Sequence, residues 1–251
     1  KLKKENKNNV SILRLPNIYG KWAKPNYNSV VSTFCYNISR NKSIFLSGPK
    51  KKVSLLYIDD LIVTLKKFLK KNVYKKIIYK IKFTDKISLY KLSQIIKNFN
   101  LSREKIIIPD ISSDLKKKLY STYISFLPVK KILYPLKKKQ DQRGYFSEFF
   151  KTKNSGQLSV FVAKKGMIRG HHFHHSKVEK FLVVSGNAIF NMFDISSKKK
   201  ISFKLNDKKL RVVESVPGYQ HYIKNIGKKD LIVLLWCNEI FDINKPDTFK
   251  I

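Results

Sequence analysis

The chain has 251 residues, 43% of them apolar, enough to bury one large core or two ordinary ones and too many for wholesale disorder. Lysine and arginine total 53 against 17 acidic residues, a formal net charge of +36. Two widely separated cysteines, Cys35 and Cys237, exclude a disulfide scaffold and a cysteine-based zinc finger.

In chain order, the first expected element is a short apolar strand from Ser11 to Leu15, ended by Pro16. Val30, Val31, Phe34, Cys35 and Ile38 then recur at helical spacing behind Asn28-Ser29, an N-cap signal. Ile62, Leu65, Phe68 and Leu69 form a second apolar stripe, and Leu89, Leu92, Ile95, Ile96 and Phe99 a third. All three are expected to be plain core packing. From about residue 141 the texture changes. Apolar or alternating runs at 158–163, 180–184, 188–193, 210–214 and 230–236 are separated by glycine and polar turns, the pattern of a β-sandwich or barrel. Seven of the nine glycines lie in this second half. A boundary is expected between Pro128 and Lys139.

The start of the chain carries no apolar signal core, and its longest apolar runs, such as 231–237, are far short of a membrane span. The expected setting is therefore the reducing cytoplasm, with no membrane partner. The charge invites a nucleic-acid reading. Its distribution argues against one: lysines occupy nearly every segment, with triplets at 50–52, 116–118, 137–139 and 198–200, and only six of the basic residues are arginine, the usual bidentate reader. A solvated lysine surface is the simpler reading. Its field would still favour an anionic substrate such as a nucleotide diphosphate.

All five histidines fall in two places: His171, His172, His174 and His175 surround Phe173, and His221 follows in a later run. On a strand, His172 and His174 would share one face and His171 and His175 the other. Glu179 follows a short bend. Two imidazoles, a carboxylate and a fourth ligand from a later strand, His221, suit a divalent transition metal such as zinc. The same imidazoles can act as acid and base near neutral pH, which makes His172 and His174 the candidate catalytic pair. The bland alternative is a histidine-rich surface turn, which would leave Glu179 and His221 as coincidences.

These residues carry a resemblance. Gly170 to Gly186, with His172-x-His174 and then Glu179, resembles the first cupin motif, and Gly218-x-x-His221-x-x-x-Asn225 the second, with Val216-Pro217 in place of the usual proline position. Asp141 to Glu148 and Arg169-Gly170-x-His172 resemble more narrowly the cupins that epimerise 4-keto-6-deoxy sugar nucleotides. That likeness implies His172 as the base, Arg169 as a substrate contact and zinc or another divalent ion as cofactor. It also implies a small all-β barrel and, since cupins often pair, a homodimer.

The first half supplies a second resemblance. Arg14-Leu15-Pro16-Asn17-Ile18-Tyr19-Gly20 and Tyr57-Ile58-Asp59-Asp60 are similar to late motifs of the extended short-chain dehydrogenase/reductases, although a proline turn and a capped helix would explain each locally. Lys21 to Val31, joined to a cupin, resembles the bifunctional capsular-polysaccharide enzymes of the CapF type. The likeness runs on through Leu119-Tyr120-Ser121-Thr122-Tyr123, Glu179 to Gly186 and Pro246-Asp247-Thr248. It implies an α+β lobe over 1–133, the later part of a reductase domain, and a cupin over 134–251. The implied substrate is a UDP-activated amino sugar, epimerised at C3 in the cupin and reduced at C4 with NADPH in the other domain. The implied sugar-nucleotide contacts are Asn17, Lys24 and Asn26.

No glycine fingerprint for a dinucleotide occurs in the chain, so no cofactor-binding residue is assigned and NADPH is expected only of a longer form. Tyr134-x-x-x-Lys138 has catalytic reductase spacing but contains Pro135, and a lysine-rich chain produces such pairs by chance. Lys1, standing where the tail of that motif would fall, is the candidate reductase lysine. The leading expectation is an epimerase cupin joined to part of a reductase lobe. The alternatives are a cupin ketoisomerase or metal-dependent oxygenase, and a non-catalytic sugar- or nucleic-acid-binding protein.

Overall fold

The computed structural model describes residues 11–70, 78–82 and 85–250. Its internal contacts divide the chain into two units. One holds the described residues up to Glu104 with Pro109–Leu133; the other holds Lys105–Ile108 with the described residues from Tyr134 onward.

The first unit mixes helices and short strands. β1 (Ile12–Arg14) pairs in parallel with β4 (Ile78–Lys80), and β2 (Asn17–Tyr19), β3 (Lys52–Tyr57) and β5 (Asp85–Ser88) form a three-stranded sheet in the order β2-β3-β5. Pro16 separates β1 from β2, because a proline cannot donate to a ladder. Helix α1 (Val30–Ser39) begins where Ser29 caps it, its hydroxyl accepting from the N–H of Ser32. α1, α3 (Leu89–Glu104) and α4 (Asp114–Ser125) pack together around Phe34, Cys35, Leu92, Ile96, Phe99, Leu119 and Tyr123, all buried. α4 was not expected from the sequence; its one apolar row is diluted by Lys116, Lys117 and Lys118. α2 (Ile58–Lys70) departs from the core-packing expectation. Only its Leu61 is buried, while Ile62 and Leu69 stand exposed. An apolar stripe specifies a helix face but not what covers it.

The second unit is all-β over 138–237, and every strand pair in it is antiparallel. Six strands lie in one sheet, β13 (Val212–Glu214), β10 (Glu179–Ser185), β15 (Leu231–Cys237), β8 (Gly156–Ala163), β7 (Gly144–Thr152) and β6 (Lys138–Asp141), in that order. Four lie in the other, β12 (Lys200–Asn206), β11 (Asn187–Asp194), β14 (Tyr219–Asn225) and β9 (Ile168–His172). Alternate residues of both sheets meet in one core, including Phe161, Phe181, Val183 and Val233 from the first and Ala188, Phe190, Leu205 and Ile223 from the second. Such an architecture is cupin-like. No described helix in the chain is long and apolar enough to cross a membrane.

Candidate metal centre

The two sheets bring three segments together at one end of the second unit. β9 contributes His172, the turn after it His174, the first residue of β10 Glu179, and β14 His221. One ligand atom from each of these four residues lies within 4.8 Å of the others. His174, Glu179 and His221 are buried, and His172 is half-buried.

Strand parity is not what brings His172 and His174 together. β9 ends at His172, and His174 lies beyond it, past an isolated bridge between Phe173 and Phe249. His172 reaches the inner face through a bulge instead. His221 pairs with His172 and Tyr222 with Gly170, so His171, at φ +62°, is left without a partner in the ladder. Gly170 makes the bulge sterically possible: at φ +108°, a β-carbon there would stand 2.7 Å from the carbonyl oxygen of His221. The same bulge puts Arg169, opposite Ile223, on the inner face with His172. His171 stacks on Tyr222 and His175 leans on Phe249, both outside the cluster.

Hydrogen bonds around the cluster settle which ring nitrogens face inward. His174 Nδ1 lies 2.5 Å from the carbonyl oxygen of Asp247, and His221 Nδ1 lies 3.4 Å from that of Tyr219. A carbonyl only accepts, so His174 Nδ1 carries a hydrogen and its Nε2 is left to face the cluster, while His221 directs its Nε2 at the Glu179 carboxylate, the shorter of its two contacts. The two Nε2 atoms converge on Glu179 Oε2, at 3.3 Å from His174 and 3.0 Å from His221. His174 Nε2 is fully buried and makes no hydrogen bond there. A buried imidazole nitrogen with no hydrogen bond, beside a second imidazole, a third and a carboxylate within 4.8 Å, is a donor set that fits a divalent metal. Burial pushes the Glu179 carboxyl up, and positive charge or N–H donation from His174 and His221 more than reverses this; a bound cation would act on the carboxylate in the same direction. Burial, and then His221, lower His172 to about 4, so this imidazole is neutral at pH 7.

A cavity of about 210 Å³ opens onto the cluster. His172, His174 and Glu179 lie on its wall with Lys139, Lys177, Glu148, Gln157, Ser159, Phe146 and Phe241. The hydroxyl of Ser159 is buried without a partner. Lys177 is 4% exposed, its ammonium facing Glu239 Oε1 at 3.4 Å.

A family model described as the polysaccharide biosynthesis C-terminal domain matches residues 139–249. The chain is 41% identical over 240 residues to the UDP-2-acetamido-2,6-beta-L-arabino-hexul-4-ose reductase of Pseudomonas aeruginosa strain PA103, spanning 96% of this chain and 64% of that protein. It superposes on the capsular polysaccharide assembling protein CapF of Staphylococcus aureus with a TM-score of 0.90 at 38% identity, covering 99% of this chain and 68% of that one. A CapF structure with the inhibitor 3-isopropenyl-tropolone matches with the same TM-score and identity over 72% of its length. The chain belongs to the CapF family.

Within that family frame, the other residues singled out from the sequence separate. Asn17 and Lys24 line a second cavity of about 470 Å³, within the first unit, with Leu15, Pro16, Tyr27 and Ser29. Asn26 does not line it. Its N–H donates to Thr33 Oγ1 at 2.9 Å and its Oδ1 accepts from Asn37 Nδ2 at 3.4 Å, so it shapes the turn before α1. Arg169 stands off the cavity wall beside the metal-ligand cluster, 3.6 Å from Asp141 Oδ1 and over the Phe161 ring. Lys1 lies outside the described residues. Missed altogether were Lys177, Ser159, Gln157 and Glu148, because an isolated polar residue among 47 lysines and many serines carries no sequence signal until a fold aims it inward.

Proposed function

We propose that this chain modifies a sugar nucleotide for capsular polysaccharide synthesis, and that its 134–251 half is a cupin that epimerises C3 of a UDP-4-keto-6-deoxy-N-acetylhexosamine. The observation that carries this is the convergence of His172, His174, Glu179 and His221 within 4.8 Å, the first three of them on the wall of one cavity. The match to a UDP-sugar reductase over nearly all of the chain supports the substrate class. The 1–133 half is, on this reading, the later part of a reductase domain. The chain spans 64% of the length of the curated relative it matches, so reduction at C4 with NADPH is assigned to forms that carry the dinucleotide-binding half. A cytoplasmic homodimer is the expected state.

The chemistry follows from the keto group. A C3 hydrogen beside a C4 carbonyl is acidic because the electron pair left behind delocalises onto oxygen. His172, neutral at pH 7, takes that proton on its ring nitrogen. The enolate charge develops in a cavity lined by two lysines, Lys139 and Lys177, whose positive charge favours it. A proton returned to the opposite face gives the epimer, and the proton count balances. A divalent ion held by His174, Glu179 and His221, with His172 in reach, would add Lewis-acid polarisation of the carbonyl.

The test is isotopic. The purified chain with zinc is expected to exchange the C3 hydrogen of that substrate for solvent deuterium, and His172→Ala to reduce the exchange at least 100-fold. Full exchange in the variant refutes His172 as the base. An isomerised product in place of an epimer points to the ketoisomerase reading, and oxygen consumption to an oxygenase.

A further inference from the structure

The segment Pro246-Asp247-Thr248-Phe249 crosses the turn that carries His174, and its polar groups are committed there. Asp247 Oδ1 accepts from the N–H of His175 at 2.9 Å. Its Oδ2 accepts from the N–H of Ser176 at 2.9 Å, from the N–H of Lys177 at 2.8 Å and from the Ser176 hydroxyl at 3.0 Å. Three successive amides converging on one carboxylate form a charge-assisted nest. The carbonyl of the same residue receives His174 Nδ1–H. On either side the segment is fastened to the same turn: Phe249 and Phe173 exchange N–H···O bonds of 3.0 and 2.9 Å, and the Lys177 ammonium donates to the carbonyl of Pro246 at 2.5 Å. Asp247 holds φ at +36°, a left-handed conformation that a residue with a β-carbon keeps only where its surroundings impose it.

A loop that merely closed the end of a sheet would need one or two of these bonds. Here side chain and backbone of one strained residue serve a single purpose. We propose that Asp247 is a positioning residue for the metal centre: its carboxylate grips the 175–177 turn, and that grip sets its own carbonyl against His174 so that Nε2 stays aimed at Glu179 and His221. The inference rests on the metal reading of the cluster.

The test uses the full chain, stripped of metal and titrated with zinc and with cobalt(II) against a chromophoric chelator. Wild type is expected to take up one ion per chain. Asp247→Asn keeps size and tolerance of positive φ but turns one acceptor into a donor. It is expected to weaken binding 10- to 100-fold and to shift the visible bands of bound cobalt. Asp247→Gly relieves the backbone and is expected to weaken binding as much, even where its thermal stability matches wild type. Ser176→Ala, which removes one bond of the four, should bind within threefold of wild type. Wild-type affinity and an unchanged cobalt spectrum in both Asp247 variants overturn the inference. Absence of any metal uptake by wild type overturns the metal reading itself, and this step with it.

Discussion

At the scale of single residues, buried polar groups distinguish positions that hold the barrel from positions open to chemistry. Asn225 is fully buried, yet every hydrogen it donates has a destination: Nδ2 reaches the carbonyls of Ala163 and Lys229 at 2.9 and 2.8 Å, and Oδ1 accepts from Gly227 N–H at 2.8 Å. That is a structural asparagine. Asn225→Ala would strand the buried carbonyl of Ala163 and two part-buried backbone groups, and is expected to cost about 2 kcal/mol, read as the change in urea midpoint at constant slope. An unchanged midpoint would mean that water satisfies those groups. Ser159 and His174 are the contrast, because Ser159 Oγ and His174 Nε2 are buried without a partner in residues that line the cavity. Resemblance at the sequence level put Asn225 in the same motif as His221; only hydrogen bonding separates their roles.

Turns and helix ends decide the behaviour of single elements. The turn between β11 and β12 is organised by Asp194, whose carboxylate accepts from the hydroxyls of Ser197 and Ser196, at 2.6 and 2.8 Å, and from their backbone amides. These bonds, the Ser197 hydroxyl first, hold its carboxyl well below the usual range. A depressed native pKa means that the stabilisation is complete above the unfolded value of about 3.9 and fades as pH falls toward the native one. Asp194→Ala is therefore expected to lower Tm at pH 7, with the gap to wild type narrowing by pH 3. A gap that widens in acid would contradict the assignment. The helices obey capping rules in the same local way. Ser113 accepts from Lys116 N–H at the start of α4, so Ser113→Ala should cost about 1 kcal/mol in thermal unfolding.

For the whole molecule, the proposed ion gives a direct handle on stability. Bound only by the native arrangement, zinc at 100 times its Kd is expected to raise stability by about 2.7 kcal/mol, and a chelator to reverse the gain. A Tm indifferent to both would dispose of a metal bound selectively to the folded chain. The charge of +36 acts on a different observable. If it is solvated surface, RNAs of unrelated sequence bind with equal affinity at low salt, and binding vanishes near physiological salt. A sequence preference that survives salt would instead assign the lysines a partner.

Sequence periodicity alone settled what depends on near neighbours: α1 and its serine cap, the buried row of α3 and the strand-rich second half; the residue types and their grouping named His172, His174, Glu179 and His221 as candidates for one site. Such features are encoded in spacing, because side-chain direction repeats every 3.6 or 2 residues. Tertiary structure decided the rest. The bulge at His171, the grip of Asp247 on the 175–177 turn and the inward aim of Lys177 each depend on a segment distant in sequence, at separations of 50, 71 and 69 residues or so. No local pattern carries them. An unpaired residue in one strand or a carboxylate on a remote turn gains its role only when folding brings its partner within about 3 Å.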